Sequence, residues 1–508
     1  MKRLVKSTLI ISFFFGIDKI LSFVRQLFIA REFALSYELD VFNAANNIPD
    51  LLSALISGGA LAVAFIPVLS DYLETKGRKE VWQLFSNIIN LAFLSTCILA
   101  LLIFLFTPWL ITNIIVPGFP AEQKQLAIEL MRFDLIAIII FSISGLVMSG
   151  LQANQHFLLP ALAPGMYNIG QIFGVAILAP SKGLAIGPLT LPAFGFGIHG
   201  LVYGVIIGAA MHLLIQIPGL IKYQFRWEPK LRLKSAGVKQ VLRLLGPRIT
   251  TMFFIQMFFI IRDSLASGMG EGAVTALNLG WFIMQVPESL VGTAIAIALL
   301  PTISTDFAAG RLIEFREKIN ISINTIITLT IPIAVFTSIG LTPLVEVAFN
   351  YSAADTQRVV LAAQIYLAGI VGHSLLEVAT RAFYAQQKPK IPLIAAVLNA
   401  GAYFSLSQLL SRWFGFSGIA WANSIIFTTQ AILLLVFLNR SHNGFLEVKK
   451  TFIKILLFSL SYGAFLFLAM YFLSFIPSIY TASTGIALGF LLSLFVMRKE
   501  LIPLLHID

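Results

Sequence analysis

Six charged residues interrupt stretches that otherwise have the composition of membrane-spanning helices. They form an N-terminal group of Asp18, Lys19 and Arg25, and a later group of Arg262, Asp263 and Glu288. A charge at bilayer depth costs several kcal/mol by most estimates, so such residues usually face a partner or a water-filled cavity and mark a transport path. The N-terminal group carries a net positive charge. This pattern predicts an anionic cargo that moves through a membrane.

The composition limits the fold class. Of 508 residues, 58% are hydrophobic and only 12% are charged, and the mean hydropathy is +0.89. A soluble domain of this size could not bury so much apolar surface, so the chain is predicted to be an all-α polytopic membrane protein. Its isoelectric point near 9.6 is attributed to basic cytoplasmic loops, and no nucleic-acid partner is expected. Because Cys97 is the single cysteine, no disulfide framework is possible.

Apolar runs long enough to cross a bilayer predict about fourteen transmembrane helices. Their approximate ranges are 8–30, 41–70, 82–107, 125–150, 158–180, 195–221, 238–268, 272–300, 315–340, 342–384, 391–411, 418–439, 451–474 and 477–497. The run at 342–384 is too long for one crossing, so part of it is expected to be loop. The N-terminal basic segment and apolar run are interpreted as a retained first helix rather than a cleaved signal peptide.

The distribution of basic residues predicts the orientation of these helices. With both termini in the cytoplasm, 26 of the 35 lysines and arginines fall in or next to cytoplasmic segments. Cytoplasmic loops of membrane proteins carry such an excess of lysine and arginine. The largest group lies at 222–248, between the sixth and seventh predicted helices. We therefore expect a multi-pass membrane protein with both termini in the cytoplasm.

An internal repeat predicts the domain organisation. The sequence Ile48-Pro49-Asp50 is echoed by Val286-Pro287-Glu288, with the two copies in the same orientation. Parallel repeats of this kind predict two pseudo-symmetric six-helix lobes with a binding site between them. The predicted regions are an N-terminal lobe at 1–221, a basic cytoplasmic connector at 222–248, a C-terminal lobe at 238–440 that overlaps the connector, and two extra C-terminal helices at 441–508.

Prolines at equivalent positions of the repeat predict helix bends. Pro49 and Pro287 each precede an acidic residue in the second and eighth predicted helices. Proline removes a backbone donor and kinks a helix. A supporting or gating role is expected for both prolines, although ordinary membrane-helix kinks explain them as well.

The sequence contains no recognisable enzyme motif. The stretch Gly195–Gly200 satisfies GxGxxG, but it lacks the preceding strand and the acidic residue that dinucleotide binding requires. It opens a membrane helix, where small residues allow close packing. The six histidines lack metal-ligand spacing, and no Walker A sequence or nucleophile–base set is recognisable. The sequence therefore predicts a transporter with no catalytic residues, no metal site and no cofactor.

Several motifs together resemble one family. They are Leu21–Arg25, Leu39–Phe42, Ile48–Leu52, Phe157–Asn168, His212–Pro218 and Arg381–Ala385. In this order, on fourteen predicted helices, they resemble the MurJ/MviN family of lipid II flippases, which lies within the multidrug and oligosaccharidyl-lipid exporter superfamily. The resemblance implies a central cavity with cationic residues and a substrate of undecaprenyl diphosphate that carries the peptidoglycan precursor.

The resemblance also implies site residues. Lys19, Arg25 and Asp40 match charged positions of the family's first two helices. The chain departs from the family pattern at two places. Ser53 stands where the family usually has an arginine, and Trp281-Phe282 replaces an Asp-Arg pair. Arg262 aligns with an expected aspartate of the seventh helix, with Asp263 next to it.

Two roles for Arg262 remain open at this point. It could supply a cation that clamps the diphosphate together with Arg25, or it could pair locally with Asp263 or Glu288. The expected substrate-binding residues are Lys19, Arg25, Asp40 and Arg262. Supporting or gating roles are expected for Asp18, Pro49, Asp263, Pro287 and Glu288.

The predicted function is translocation of lipid II across the inner membrane by alternating access. The partners are this lipid-linked glycan diphosphate and membrane lipid, with proteins of cell-wall synthesis as further candidates. Two alternatives stay open. One is an exporter of another lipid-linked oligosaccharide, and the other is a non-transporting membrane partner of cell-wall synthesis.

Overall fold

The protein is described from a computed structural model, which describes residues 2–501 except 57–64, 67, 70, 74, 184, 187–188, 233–234 and 443. The chain divides into two compact units, Met1–Glu271 and Gly272–Asp508. The helices of the first unit are α1 (Lys2–Phe33), α2 (Tyr37–Ala45), α3 (Asn47–Ile56), α4 (Arg78–Leu110), α5 (Ala121–Ala153), α6 (Leu158–Phe173), α7 (Ile198–Leu214), α8 (Ile217–Lys222) and α9 (Ala236–Ala266).

The second unit is helical throughout its described residues. Its helices are α10 (Ala273–Glu288), α11 (Ala294–Ala308), α12 (Leu312–Phe349), α13 (Ala353–Ala368), α14 (Ile370–Ala385), α15 (Lys390–Phe414), α16 (Phe416–Ser441), α17 (Lys449–Phe472), α18 (Ser478–Val496) and α19 (Arg498–Leu501). Helix α12 is central to the packing of this unit, because α13, α17 and α18 all contact it.

The prediction of an all-helical polytopic membrane protein is confirmed. In the described part of the chain, ten helical segments are long and apolar enough to cross a membrane, and the pair α13–α14, bent by 42°, would make eleven. The predicted passages at α1, at α2–α3 and at α9 are also helical, so fourteen crossings stays a prediction. Part of the second predicted passage, 41–70, lies outside the described residues. The strand pairing that the structure describes is a two-residue hairpin, Ala185–Ile186 with Leu189–Thr190.

One predicted pair of boundaries was wrong. Helix α12 does not end near 340 but continues through Pro343 to Phe349. Hydropathy could not locate this end, because the residues on both sides of 340 are equally apolar. The local capping signals do locate it: Asn350 has the left-handed φ of 56°, and Ser352 Oγ accepts a hydrogen bond of 3.1 Å from the Asp355 amide at the start of α13.

Within the described residues, three π-helical turns interrupt the membrane helices. They lie at Ile111–Ile115, Gly174–Leu178 and Ser289–Thr293. Pro287 comes two residues before the third turn, where its missing N–H breaks the regular hydrogen-bond ladder. Pro49 lies in the first turn of α3, where a helix tolerates a missing donor. The preceding helix, α2, ends at Asn46 just before it. Both prolines thus lie at irregular points of their helices, and their gating role stays a prediction.

Glycines bring α6 and α7 into close contact. A methyl group added to Gly174 would lie 2.6 Å from the Gly204 Cα, and one added to Gly200 would lie 2.5 Å from the Ala179 amide nitrogen. Small residues allow this backbone approach between membrane helices, where packing rather than the hydrophobic effect drives association. The expectation that the GxGxxG stretch opens a tightly packed membrane helix is therefore confirmed.

The connector is fixed to α4 rather than extended through solvent. One row of α4 side chains bonds to the backbone of Tyr223–Arg232, a segment that we call the strap. The row consists of Trp82, Ser86, Asn87 and Asn90. Asn87 makes two bonds with Arg232, donating to its carbonyl at 3.0 Å and accepting from its amide at 2.7 Å. The strap thus adopts a defined backbone course without regular secondary structure.

Side chains reinforce the strap. Trp227 Nε1 donates to Asn90 Oδ1 at 2.7 Å, and Gln83 donates to Glu228 Oε1 at 3.3 Å. A hydrogen bond from Lys230 lowers the pKa of Glu228 below its usual value. Because α9 packs against α3 and the π-helical turn at 111–115, the compact first unit includes the seventh predicted helix. The lobe boundaries at 221 and 238 came from the repeat rather than from contacts, and they stay a prediction.

Candidate functional site

Arg25 lies in a cluster of polar side chains within the first unit. Its guanidinium is half-buried, and its Nε is buried without a hydrogen-bond acceptor among the described residues. It interacts electrostatically with Asp18 of α1, Asp50 of α3 and Tyr167 of α6. Arginine N–H groups suit the oxygens of phosphate in geometry and charge. The cluster therefore holds a guanidinium with an unused donor among membrane helices.

The other two residues of the N-terminal charged group lie on different sides of α1. Asp18 is half-buried, and its Oδ1 accepts a hydrogen bond of 2.8 Å from Asn168 Nδ2, which ties α1 to α6. Lys19 is exposed. Lys19 and Arg25 are six residues apart, which places them about 240° apart around the helix. The structure thus places Asp18 in the Arg25 cluster and leaves Lys19 on an exposed face of α1.

Two further carboxylates of this cluster were missed as site residues. Asp50 is exposed and interacts electrostatically with Arg25 and Asp263. Asp134 of α5 is 1% exposed, and neither of its carboxylate oxygens accepts a hydrogen bond from the described residues. Asp134 interacts electrostatically with Asp50 and Tyr167. The rule that selected Arg25, a charge inside an apolar run, would also have selected Asp134.

Arg262 and Asp263 form a buried ion pair on α9. Arg262 Nε donates to Asp263 Oδ1 at 2.7 Å, and the two residues are 4% and 1% exposed. Asp263 Oδ2 accepts a second hydrogen bond, of 2.8 Å, from Asn47 Nδ2, which links α9 to the start of α3. The Arg262 guanidinium also lies 5.2 Å from the Phe259 ring centroid. This is the local pairing that the sequence left open as one of two roles for Arg262.

Asp40 lies in α2. Its side chain is buried, and its helix packs against α5. Ser36 caps α2, because its side-chain oxygen accepts a hydrogen bond of 3.3 Å from the Leu39 amide. A buried carboxylate near a helix N-terminus is favoured by the helix dipole. The structure therefore gives Asp40 a structural setting, and its role in substrate binding stays a prediction.

The second unit has a smaller charged group around Glu288. Thr293 Oγ1 donates to Glu288 at 3.3 Å across the π-helical turn that follows Pro287. Glu288 also interacts electrostatically with Glu377 and Arg381 of α14, which pair with each other. The expected supporting residues Pro287 and Glu288 thus lie together at an irregular point of their helix.

Trp281, which stands where the family pattern has a charged residue, packs in an aromatic cluster. The Trp281 ring packs edge-on against Tyr366 at 5.6 Å and against His373 at 5.2 Å between ring centroids. His373 Nε2 in turn lies 3.0 Å from Asn423 Oδ1. An aromatic cluster therefore stands where the resemblance implies charged side chains. Groups of three or more potential metal ligands were not found within the described residues.

Comparison with known proteins decides the family. The family profile described as "Lipid II flippase MurJ" matches residues 29–494, which is most of the chain. The chain belongs to the MurJ family. It is 27% identical over 404 residues to the lipid II flippase MurJ of Burkholderia cenocepacia, covering 78% of this chain and 76% of that protein. It is 28% identical over 437 residues to the probable lipid II flippase MurJ of Thermotoga maritima, covering 85% and 84%.

Solved structures show the same fold. A lipid II flippase MurJ in an inward closed conformation matches with a TM-score of 0.80 and 24% identity, covering 97% of this chain and 100% of that one. An inward-facing MATE family multidrug transporter of the MOP superfamily matches with a TM-score of 0.68 and 16% identity, covering 84% and 94%. The predicted family, fold class and transport function are confirmed, and the MurJ family is one of transporters rather than enzymes.

Proposed function

We propose that Arg25 is the main contact for the diphosphate of lipid II in this MurJ family member. The observation that supports this is the buried Arg25 Nε, which has no acceptor among the described residues. A guanidinium stays charged under all physiological conditions, and an unused donor in a membrane interior is costly unless a ligand accepts from it. A diphosphate supplies several anionic oxygens at this position.

The contrast with Arg262 supports this choice. The Arg262 charge is already balanced by Asp263 at 2.7 Å. Arg25 interacts electrostatically with Asp18 and Asp50, but its Nε donates no hydrogen bond to the described residues. We therefore assign Arg262 to holding α9 against α3 through Asp263 and Asn47. Lys19 on the exposed face of α1 is proposed as a secondary cation for the approaching substrate.

Complementation of a flippase-depleted bacterium tests the assignment. Arg25→Ala is expected to abolish growth rescue while membrane levels stay near those of wild type, and Arg25→Lys is expected to rescue only in part because lysine lacks the forked donor geometry. Arg132→Ala is the matched control, since Arg132 lies in the same unit and donates to the Phe104 carbonyl at 3.3 Å. Full rescue by Arg25→Ala would remove Arg25 from the binding site, and failure of the wild-type chain to rescue would favour a non-transporting partner of cell-wall synthesis.

The orientation is part of the same proposal. We place both termini and the strap on the cytoplasmic side of the inner membrane, because the basic residues concentrate there. Gln240 is exposed at the start of α9 and provides a labelling site. In a Cys97→Ala background, Gln240→Cys is expected to resist an impermeant thiol reagent added to intact cells and to react once the membrane is opened. Labelling in intact cells would contradict the orientation.

The polyprenyl tail is proposed to remain in lipid beside α17 and α18. These C-terminal helices expose large apolar side chains, among them Phe465, Phe467 and Leu491. Apolar surface of this kind is stable in contact with hydrocarbon. Transport by alternating access would then require only the glycan and diphosphate to pass through a polar path.

A further inference from the structure

A groove between α4 and α5 opens on the apolar outer face of these two helices. It encloses about 610 Å³, which is within the range of small-molecule sites, roughly 300–1,000 Å³. Ala100 and Leu135 form its floor and belong to a buried apolar cluster. Leu101, Phe104 and Ile136 line it with exposed side chains. Because both helices have the composition of membrane spans, hydrocarbon chains rather than water border this groove.

Two charged side chains line one end of the groove. The Arg132 guanidinium lies 4.4 Å from the Phe104 ring centroid, and its Nε donates to the Phe104 carbonyl at 3.3 Å. Within the described residues, its terminal N–H groups donate no hydrogen bond and the guanidinium forms no ion pair. Glu129, one turn nearer the start of α5, has a side chain that is 51% exposed, and its Oε1 lies 3.3 Å from His199 Nε2. Arg132 therefore has donors available for a ligand.

Arg132 lies where the polar part of α5 meets its apolar part. The nineteen residues 135–153 contain no charged side chain. At 1.5 Å per residue they span roughly 28 Å, close to the thickness of a hydrocarbon core. Trp109, at the adjoining end of α4, is 56% exposed, and exposed tryptophans are typical of the headgroup level of a membrane. Arg132 and Glu129 thus lie at this level, and the groove continues from them beside the apolar run.

The two charges favour a zwitterionic headgroup over a purely anionic one. Glu129 and Arg132 are three residues apart on one face of α5, with Glu129 about 4.5 Å further from the apolar run. A phosphodiester accepts well from arginine, whereas Glu129 repels negative charge and attracts an ammonium group. Phosphatidylethanolamine carries its phosphate beside the glycerol and its ammonium two carbons further out. The order of charges in this lipid therefore matches the order of the side chains.

We propose that the groove binds one molecule of phosphatidylethanolamine. Its phosphate accepts from the terminal N–H groups of Arg132, and its ammonium donates to Glu129. One acyl chain fills the groove past Leu135 and Ile139 towards Cys97, which lines the groove seven residues before Phe104 on the antiparallel α4. The groove contains none of the residues assigned to the substrate, so this proposal does not depend on the Arg25 assignment.

Lipid binding to the purified, delipidated full chain tests the headgroup. Native mass spectrometry would compare dioleoyl phosphatidylethanolamine with dioleoyl phosphatidylglycerol, which has the same chains but only negative charge. Wild type is expected to bind its first phosphatidylethanolamine about tenfold more tightly than its first phosphatidylglycerol, the difference that one charge-assisted hydrogen bond makes. Glu129→Gln is expected to abolish this preference, and Arg132→Gln is expected to weaken the first binding of both lipids about tenfold.

Lys124→Gln is the matched control for these variants. Lys124 is another cation of α5, but it donates to the Pro117 carbonyl at 2.8 Å and does not line the groove. Both affinities should stay at the wild-type values in this variant. Equal affinity of wild type for the two lipids, or unchanged binding by Arg132→Gln, would overturn the proposal. Displacement of phosphatidylethanolamine by an equal concentration of undecaprenyl phosphate would overturn it as well, by assigning the groove to the polyprenyl cargo.

The reactivity of Cys97 locates the acyl chain without any variant. Cys97 is the only cysteine of the chain and lines the groove. Phosphatidylethanolamine is expected to slow its modification by N-ethylmaleimide in delipidated wild type, in proportion to the occupancy measured by mass. An unchanged rate at full occupancy would show that the lipid binds elsewhere, and would overturn the proposal even if Arg132→Gln failed to fold.

Discussion

Breaking the Arg262–Asp263 pair should destabilise the first unit by a predictable amount. Asp263→Asn removes the charge that faces Arg262 Nε at 2.7 Å but keeps an oxygen that can accept from Asn47. Removing one partner of a buried ion pair costs about 3–5 kcal/mol, because the remaining charge stays buried. The Arg262 guanidinium also lies over the Phe259 ring, which favours the lower end of this range. We expect a loss of about 3 kcal/mol, which raises the unfolded fraction roughly a hundredfold.

Thermal unfolding in detergent measures this change. A loss of about 3 kcal/mol corresponds to a fall in melting temperature of roughly 6–12 °C for a unit of this size. Arg262→Gln should give a similar fall, and the double variant Arg262→Gln/Asp263→Asn should recover most of it because no uncompensated charge remains. Lys239→Gln, at an exposed position of the same unit, is the control and should leave the melting temperature unchanged. Additive losses in the double variant would refute the assignment of Arg262 as the structural partner of Asp263.

Four further results are expected. Gly204→Val should lower stability by about 1–3 kcal/mol or prevent assembly, since an added Cβ meets the Gly174 Cα, in the π-helical turn after α6, at 2.7 Å; the yield of folded protein reports this. Asn90→Ala should shift the fluorescence of Trp227, whose indole N–H loses its acceptor at 2.7 Å. The lowered pKa of Glu228 means that its contribution to strap stability is present above the usual carboxyl pKa and is lost as the pH falls through the folded-state value, so the same fluorescence should shift in acid. Ser352→Ala should cost about 1 kcal/mol in a melting experiment, because it removes the N-cap of α13.

Hydropathy and motif order predicted the helices and the family, because both depend on residues that are close in sequence. The same information could not locate the end of α12, where capping residues rather than apolar composition mark the boundary. It did offer the pairing of Arg262 with Asp263 as one of two roles, but it could not connect that pair to Asn47, because Asn47 lies 216 positions from Asp263 along the chain.

The candidate site shows a different limit. Arg25 was selected because its motif and its apolar surroundings agreed, and the structure adds Asp50, Asp134 and Tyr167 around it. Asp134, like Arg25, is a charged residue inside an apolar run, but it belongs to none of the family motifs. Sequence alone does not show whether a carboxylate is buried or whether a hydrogen-bond donor lies within its reach.

The strap has a consequence for engineering this protein. By composition, Tyr223–Arg232 resembles a tether whose length could be changed freely and into which a tag or a fluorescent protein could be inserted. Its backbone instead bonds to a fixed row of α4 side chains through the carbonyls of five residues, Tyr223, Arg226, Glu228, Lys230 and Arg232. One added residue would shift every later carbonyl out of reach of its partner. An insertion there should therefore be tolerated no better than one inside a packed helix, and the lysines and arginines of the strap should resist trypsin in spite of their exposure.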